Sequence, residues 1–152
     1  MSKRRRKARV RKHTWLIIVI VVVLLLAGSL YFRKIQSDAL DETNISVKDL
    51  TPDTLAVYQS RGKPLIVEFY TKDSPYCRRI ESELTMIVEN YGGELIVAKI
   101  DAQLYPGEAE KYQIVGVPTL VLFNSHGDVL ETLGGYRTFA EIEEVLRDLN
   151  LI

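Results

Sequence analysis

The stretch from Pro64 to Cys77, PLIVEFYTKDSPYC, contains the change from strand to helix that decides the fold. Its first seven residues form an apolar run of the length of a buried strand, interrupted only by the carboxylate of Glu68. Ser74-Pro75 then joins a preferred N-cap residue to a proline at the first helical position. From Cys77 to Tyr91 the apolar residues recur at helical spacing. The stretch therefore predicts a buried strand that leads through a short polar loop into an amphipathic helix.

The alternation of strand and helix patterns continues on both sides of this stretch. Thr51-Pro52 opens an earlier helix toward Arg61, and a capping box from Thr138 to Glu141 opens the last one. The remaining patterns are strands near 45–48, 94–101, 117–123 and 128–133, a short helix over 106–112 and a hairpin turn at 124–127. Alternating strands and helices imply parallel βαβ units, and the late hairpin adds an antiparallel edge. Residues 45–152 are thus predicted to form an α/β domain with a central mixed sheet and helices on both faces.

The first 32 residues differ in composition from the rest of the chain. Residues 1–13 carry eight Lys or Arg and no acid, and residues 15–32 form an apolar run without a charge. At about 1.5 Å per residue, a helix of this length spans roughly 27 Å, close to the hydrocarbon thickness of a bilayer. We therefore predict a basic cytoplasmic tail at 1–13, a transmembrane helix at 15–32 in the lipid bilayer, and a polar stalk at 33–44. Because basic residues stay on the cytoplasmic side, the domain of this single-pass protein is expected on the extracytoplasmic side.

Two other interpretations of the N-terminal segment stay open. Ala27-Gly28-Ser29 is an acceptable signal-peptide cleavage site, although the apolar run is longer than the roughly 7–15 residues of a typical signal-peptide core. The basic cluster is also compatible with a nuclear-localisation or nucleic-acid-binding segment. A basic cluster directly before an apolar run is explained more simply by membrane orientation, so an anchor is the preferred interpretation.

Charge and cysteine content exclude several classes of function. From Arg33 onward the chain has 12 basic and 20 acidic residues, a formal charge of −8, which disfavours binding to nucleic acid. The only cysteine is Cys77, so an intramolecular disulfide is excluded. The two histidines, His13 and His126, are far apart in the sequence, and no spacing typical of zinc ligands is present. We expect neither a metal nor another cofactor.

Several short motifs in the predicted domain, taken in order, resemble those of a known family. The four residues from Ser74 to Cys77, SPYC, differ by one sulfur-to-oxygen exchange from a CPYC motif at a junction of strand and helix. Further matches are Val97-Ala98-Lys99, Pro106 to Tyr112, Val115 to Leu120 and Gly135. Over residues 45–150 the chain therefore resembles the thioredoxin family. It departs from that family at Asp73, where tryptophan is usual, and at Ser74, where the attacking cysteine belongs.

The resemblance implies a thioredoxin-like three-layer sandwich and a set of site residues. Ser74 and Cys77 match the family's two catalytic cysteines, and an acid matching Glu68, near a lysine matching Lys99, relays protons for the second one. The residues expected to contact a substrate are Pro75, Tyr76, Val117 and Pro118, with Pro118 in a cis peptide bond that faces the active site. The backbone beside such a proline is free to pair with an extended peptide. The expected partners are polypeptide or thiol substrates.

Three site residues each allow two interpretations. Ser74 has no histidine nearby in sequence to act as a base, so a helix cap is preferred to a catalytic role. Cys77 is either a small buried apolar residue or a lone thiol whose pKa is lowered by the helix N-terminus and by Arg78. Glu68 is either a buried functional acid, which is the preferred interpretation, or a carboxylate facing solvent at a strand end.

Three functional hypotheses follow from these residues. In the first, a membrane-anchored thioredoxin-like module binds extended or cysteine-containing polypeptides without dithiol turnover. In the second, the chain is a thiol–disulfide oxidoreductase that works through Cys77 alone with an external resolving thiol. In the third, Ser74 is an engineered or allelic change in an ordinary oxidoreductase. We prefer the first, because disulfide exchange needs a thiolate nucleophile and a second thiol.

Overall fold

The computed structural model describes residues 15–29 and 46–152. Helix α1 covers residues 15–29, and its side chains are exposed. Within these two ranges, no helix is both long enough and apolar enough to cross a membrane. The predicted basic tail at 1–13, the stalk at 33–44 and the last three residues of the predicted membrane span lie outside the described residues. The transmembrane helix is therefore unsupported by the described helix and stays a prediction.

The folded domain contains the elements that the sequence predicted, in the predicted order. In chain order they are β1 (Lys48–Asp49), α2 (Pro52–Gln59), β2 (Leu65–Tyr70), α3 (Pro75–Tyr91), β3 (Ile96–Asp101), α4 (Pro106–Lys111), β4 (Thr119–Phe123), β5 (Val129–Gly134) and α5 (Phe139–Asp148). The first strand lies slightly later than predicted, and β3 and β4 each begin two residues later. The capping box at the start of α5 is confirmed, since the Thr138 hydroxyl accepts from the Glu141 amide and the Glu141 carboxylate accepts from the Thr138 amide.

The five strands form one mixed sheet in the order β1-β3-β2-β4-β5. β1, β3 and β2 run parallel, whereas β4 is antiparallel to both β2 and β5. The parallel part comes from the βαβ units that the alternation of elements predicted. β4 runs antiparallel to β2, and the late hairpin adds β5 antiparallel to β4. Central strand β2 places Glu68 between Lys99 of β3 and Leu120 of β4.

Each face of the sheet is covered by helices, which confirms the three-layer α/β architecture. On one face, α3 and α5 pack on the strands through a cluster that includes Ile66, Val97, Leu120, Ile80, Leu84, Ile142 and Leu146. On the other face, α2 and α4 pack through a cluster that includes Val67, Phe69, Ala98, Ile100, Val121, Leu55 and Ala109. Side chains of a strand alternate between its two faces, so Glu68 lies on the same face as Ile66, under α3.

Candidate functional site

The predicted site residues meet at one end of the sheet. β2 ends at Tyr70, and the loop that follows leads to Ser74, the N-cap residue of α3. β4 begins at Thr119, whose partner in β2 is Phe69. Pro118 therefore lies beside the end of β2 from which the loop to α3 departs. The SPYC segment and the Val117-Pro118 pair are far apart in the sequence, but the fold brings them to the same end of the sheet.

Ser74 is the N-cap of α3, as its sequence context predicted. Its backbone is extended, with φ −72° and ψ 119°, and its hydroxyl oxygen accepts a hydrogen bond from the Cys77 amide at 3.2 Å. The Ser74 carbonyl accepts from the Arg78 amide, also at 3.2 Å. Pro75 follows at the first helical position, where its missing N–H costs no hydrogen bond. The serine therefore starts the helix that contains the only thiol.

The thiol of Cys77 is buried in the first turn of α3, with 3% of the residue exposed. Burial raises the pKa of Cys77 above its ordinary value, and the neighbouring Glu68 carboxyl raises it further, whereas hydrogen bonding to Ser74 opposes the rise. This direction is opposite to that expected for a thiol activated by the helix N-terminus. Arg78 offers little help, because its guanidinium donates to the Lys72 carbonyl oxygen at 3.1 Å. The thiol therefore has the character of a buried apolar group.

Glu68 is fully buried, as the preferred interpretation of the strand predicted. Among the described residues, neither of its carboxylate oxygens has a hydrogen-bond partner. The pKa of Glu68 is raised to about 7, mainly by burial and next by the negative charge of Glu81. The charge of Lys99 and the Cys77 side chain oppose this rise. A carboxyl group with this pKa is about half protonated near pH 7 and can take up or release a proton there. It is the one strongly perturbed acid adjacent to the thiol in the described part of the chain.

The lysine expected to accompany Glu68 is engaged elsewhere. Lys99 is next to Glu68 in the sheet, but its ammonium nitrogen lies 2.9 Å from Oε1 of Glu81 and 5.0 Å from the centre of the Tyr70 ring. Lys99 thus lies near Glu68, as the family resemblance implied, but it forms its ion pair with Glu81. Sequence reasoning missed Glu81, although it lies four residues after Cys77 and hence on the same face of α3.

The loop before β4 offers unpaired backbone beside the proline. The Val117-Pro118 peptide bond is cis, as the resemblance implied. The loop is held by the Gly135 amide, which donates to the Pro118 carbonyl at 2.8 Å, and by the Thr119 hydroxyl, which donates to the Gly116 carbonyl at 2.7 Å. Within the described residues, the amide and carbonyl of Val117 make no hydrogen bond.

An open groove adjoins Val117, and two predicted contact residues are exposed on α3. The groove has a volume of about 550 Å³ and lies between α4 and the loop, with mainly apolar lining residues that include Ala102, Pro106, Ala109, Ile114, Val115 and Val117. Pro75 and Tyr76 are exposed on the first turn of α3, with 59% of Tyr76 accessible.

Across residues 15–29 and 46–152, no group of three or more His, Cys, Asp or Glu side chains is placed to hold a metal ion.

Comparison with known proteins identifies the family. Residues 51–150 match the thioredoxin-like domain family. The thioredoxin of Streptomyces clavuligerus is 31% identical over 97 residues, which cover 63% of this chain and 89% of that protein. The thioredoxin of Listeria monocytogenes is 31% identical over 100 residues, covering 66% of this chain and 95% of that protein. The chain therefore belongs to the thioredoxin-like domain family, which relates it to proteins of thiol–disulfide exchange.

Solved structures of thioredoxins have the same fold as the domain. Chloroplastic thioredoxin z superposes with a TM-score of 0.64 at 27% identity, covering 69% of this chain and 95% of that one. A mutant thioredoxin of Halobacterium salinarum also superposes with a TM-score of 0.64, at 25% identity, covering 68% of this chain and 90% of that one. The chain thus spans nearly the whole length of these thioredoxins.

Proposed function

We propose that this chain is a membrane-anchored thioredoxin-like protein that binds extended or cysteine-containing polypeptides without dithiol turnover. The observation that carries the proposal is the state of its thiol. Cys77 is the only cysteine in the sequence, it is buried, and its pKa is raised. Ser74, at the position that resembles the family's attacking cysteine, has its oxygen in a helix cap.

The chemistry of disulfide exchange supports this assignment. A thiolate attacks a disulfide sulfur, and a second thiol resolves the mixed disulfide that forms. The Ser74 hydroxyl has no thiolate-like population at neutral pH, and serine nucleophiles depend on an adjacent base. Cys77 lacks a second cysteine in the chain to resolve a mixed disulfide. A two-thiol cycle is therefore unavailable within one molecule.

The binding surface does not depend on the missing sulfur. The free amide and carbonyl of Val117 suit the addition of an extended segment as a short strand, in which main-chain hydrogen bonds give affinity. The groove beside Val117 accepts a side chain of that segment, and the exposed ring of Tyr76 adds apolar contact area. A polypeptide without any thiol is thus a sufficient ligand.

The membrane anchor in this proposal is supported by sequence alone. Eight basic residues precede an uncharged apolar run at 15–32, and the rest of the chain carries a formal charge of −8. This asymmetry favours an N-terminus in the cytoplasm and a domain on the extracytoplasmic side. Such a placement presents the domain to secreted or membrane-exposed polypeptides, whose cysteines meet oxidising conditions.

A second function, exchange through Cys77 with an external resolving thiol, is favoured by one observation. Glu68 is a buried acid adjacent to the thiol, with a pKa of about 7, and it is therefore suited to proton transfer near neutral pH. A site that only binds does not require such a carboxyl group. The two functions differ in whether binding depends on the sulfur atom of Cys77.

Binding to a thiol-free polypeptide tests the proposal. We would use the full chain in detergent micelles and a fluorescently labelled, reduced and carboxamidomethylated unfolded polypeptide, which has no free thiol. We expect the dissociation constants of the native chain and of Cys77→Ala to agree within about twofold. Methylating the backbone amides of the polypeptide removes its donors to Val117 and should weaken binding about tenfold, the equivalent of one net hydrogen bond. Loss of binding in Cys77→Ala would contradict the proposal.

A further inference from the structure

The buried acid beside Cys77 lacks the counter-charge that lies closest to it in the sheet. Glu68 and Lys99 are partners in the parallel pairing of β2 and β3, and their side chains lie on the same face. A lysine side chain at this position is long enough to reach a neighbouring carboxylate. Nevertheless, both oxygens of Glu68 lack a partner among the described residues, and the Lys99 ammonium group binds Glu81 at 2.9 Å.

We propose that Glu81 is a positioning residue, which holds the ammonium group of Lys99 at the rim of the sheet and withholds it from Glu68. Glu81 is four residues after Cys77 on α3. The same helix therefore contains both the thiol and the carboxylate that forms the ion pair with Lys99. About half of the Glu81 side chain is exposed (51%), compared with 19% for Lys99. The ion pair therefore lies toward solvent, while Glu68 lies beneath it.

The ion pair and Glu68 are surrounded by groups from several elements. A cavity of about 240 Å³ adjoins the ion pair and is lined by Val47, Asp49, Glu81, Leu84, Thr85 and Lys99. The charged and titratable groups that act on Glu68 are Asp49 of β1, Lys99 of β3, and Cys77 and Glu81 of α3. Its partner in β4 is Leu120, which is apolar. Lys99 is thus the one cation among the groups that act on Glu68. The orientation of its side chain decides whether Glu68 has a directly paired counter-charge.

Holding Lys99 away has a chemical consequence for the thiol. Burial and the charge of Glu81 raise the pKa of Glu68 to about 7 against the opposing charge of Lys99, and direct pairing with Lys99 would lower it. Near pH 7 the Glu68 carboxyl is then about half protonated, whereas the thiol of Cys77, whose pKa is raised, keeps its proton. Because a charged Glu68 raises the pKa of Cys77, Glu81 affects the thiol by setting the pH above which Glu68 becomes charged. The inference rests on the proposed function only in treating Cys77 as the thiol of the site.

The titration of Glu68 in a double-mutant cycle tests the inference. The full chain, carrying 13C-labelled glutamate in detergent micelles, would be titrated by NMR as native protein, Glu81→Gln, Lys99→Met and the double variant, with Glu68→Gln to assign the signal. In Glu81→Gln we expect the Glu68 midpoint to fall by about one pH unit or more, because Lys99 turns toward it. Lys99→Met should raise the midpoint more in the Glu81→Gln background than in the native one.

Two outcomes would overturn the inference, and the control separates them from general charge effects. An unchanged midpoint in Glu81→Gln would mean that Glu81 does not control the counter-charge. An equal effect of Lys99→Met in both backgrounds would mean that Glu81 acts by its charge alone and does not position Lys99. Glu89→Gln removes the same charge from an exposed position of the same helix and should leave the midpoint unchanged. None of these titrations requires a bound polypeptide, so their failure is distinct from failure of the proposed function.

Discussion

The amide of Cys77 donates a hydrogen bond to the hydroxyl oxygen of Ser74 at 3.2 Å. Ser74 stands at the position that resembles the family's nucleophile, and it caps the helix by accepting from the backbone of Cys77, the residue with the only thiol. A serine there retains the local structure of the strand-to-helix junction, because its oxygen satisfies an amide that would otherwise be unpaired at the start of the helix. A serine at this position is thus compatible with the fold, and in the proposed function it stands in place of an attacking thiol.

Replacing the cap should reduce stability. Ser74→Ala removes the acceptor of the Cys77 amide, and we expect the free energy of unfolding to fall by about 1 kcal/mol, as for other N-caps. Urea denaturation of the full chain in detergent, followed by circular dichroism, measures this change. Ser82→Ala is a matched control, because its hydroxyl donates to the Arg79 carbonyl within the helix and caps nothing. Equal losses in the two variants would contradict a special role for Ser74.

Restoring a cysteine should restore turnover. We expect negligible reduction of insulin disulfides by the native chain, and measurable turnover by Ser74→Cys, because the new thiol stands at the helix N-terminus with Cys77 available to resolve the mixed disulfide. The assay is the turbidity of insulin in the presence of dithiothreitol. The variant that carries both Ser74→Cys and Cys77→Ala retains the attacking thiol without the resolving one and should lose this turnover. Native activity comparable to that of Ser74→Cys would exclude the binding role.

Glu68 should make stability depend on pH. Its pKa rises from 4.5 in the unfolded chain to about 7 in the folded one, so the folded state binds its proton more tightly. Stability is therefore greatest below pH 4.5 as far as this group is concerned, and decreases as the pH rises toward 7, by about 3 kcal/mol in total. Urea denaturation between about pH 4.5 and 8 measures the decrease. Glu68→Gln should remove most of it, while Glu89→Gln should retain it; identical pH profiles for all three chains would disprove the assignment.

The orientation in the membrane is open to a protease test. In intact inverted vesicles, whose cytoplasmic side faces outward, the domain is predicted to be enclosed and therefore protected from added protease until detergent is added. Right-side-out vesicles should lose the domain to the protease. Digestion in intact inverted vesicles would reverse the predicted orientation. A soluble fragment that begins near Leu30 would indicate cleavage after Ser29 instead of anchoring.

The fold of the domain was predictable because local patterns and tertiary structure agree. The cap at Ser74-Pro75, the apolar strand around Phe69 and the capping box at Thr138 each specify an element boundary by local chemistry. Their order along the chain then leaves few topologies for a mixed sheet. The burial of Glu68 was also predictable, since its neighbours in β2 are apolar.

The electrostatics of the site were less predictable, because they depend on contacts between elements. The sequence places Cys77 at a helix N-terminus beside Arg78, which suggests a lowered pKa. In the fold, the sheet desolvates the thiol, and Arg78 donates to the Lys72 carbonyl instead of facing the sulfur. The ion pair between Glu81 and Lys99 joins a helix to a strand 18 residues away, so no local pattern indicates it.

A binding role requires no reactive thiol at Cys77, whereas a redox role does. The rate at which Cys77 is alkylated therefore distinguishes the two roles. We would follow iodoacetamide labelling of the full chain in detergent between about pH 6 and 10, with the urea-denatured chain as reference. We expect labelling slower than in the denatured chain, with an apparent pKa above the roughly 8.5 of an unperturbed thiol. In Glu68→Gln the apparent pKa should fall, because a neighbouring negative charge is removed, while labelling stays slower than in the denatured chain. Rapid labelling of the native chain with an apparent pKa below that of an unperturbed thiol would contradict an inert Cys77 and establish a reactive one.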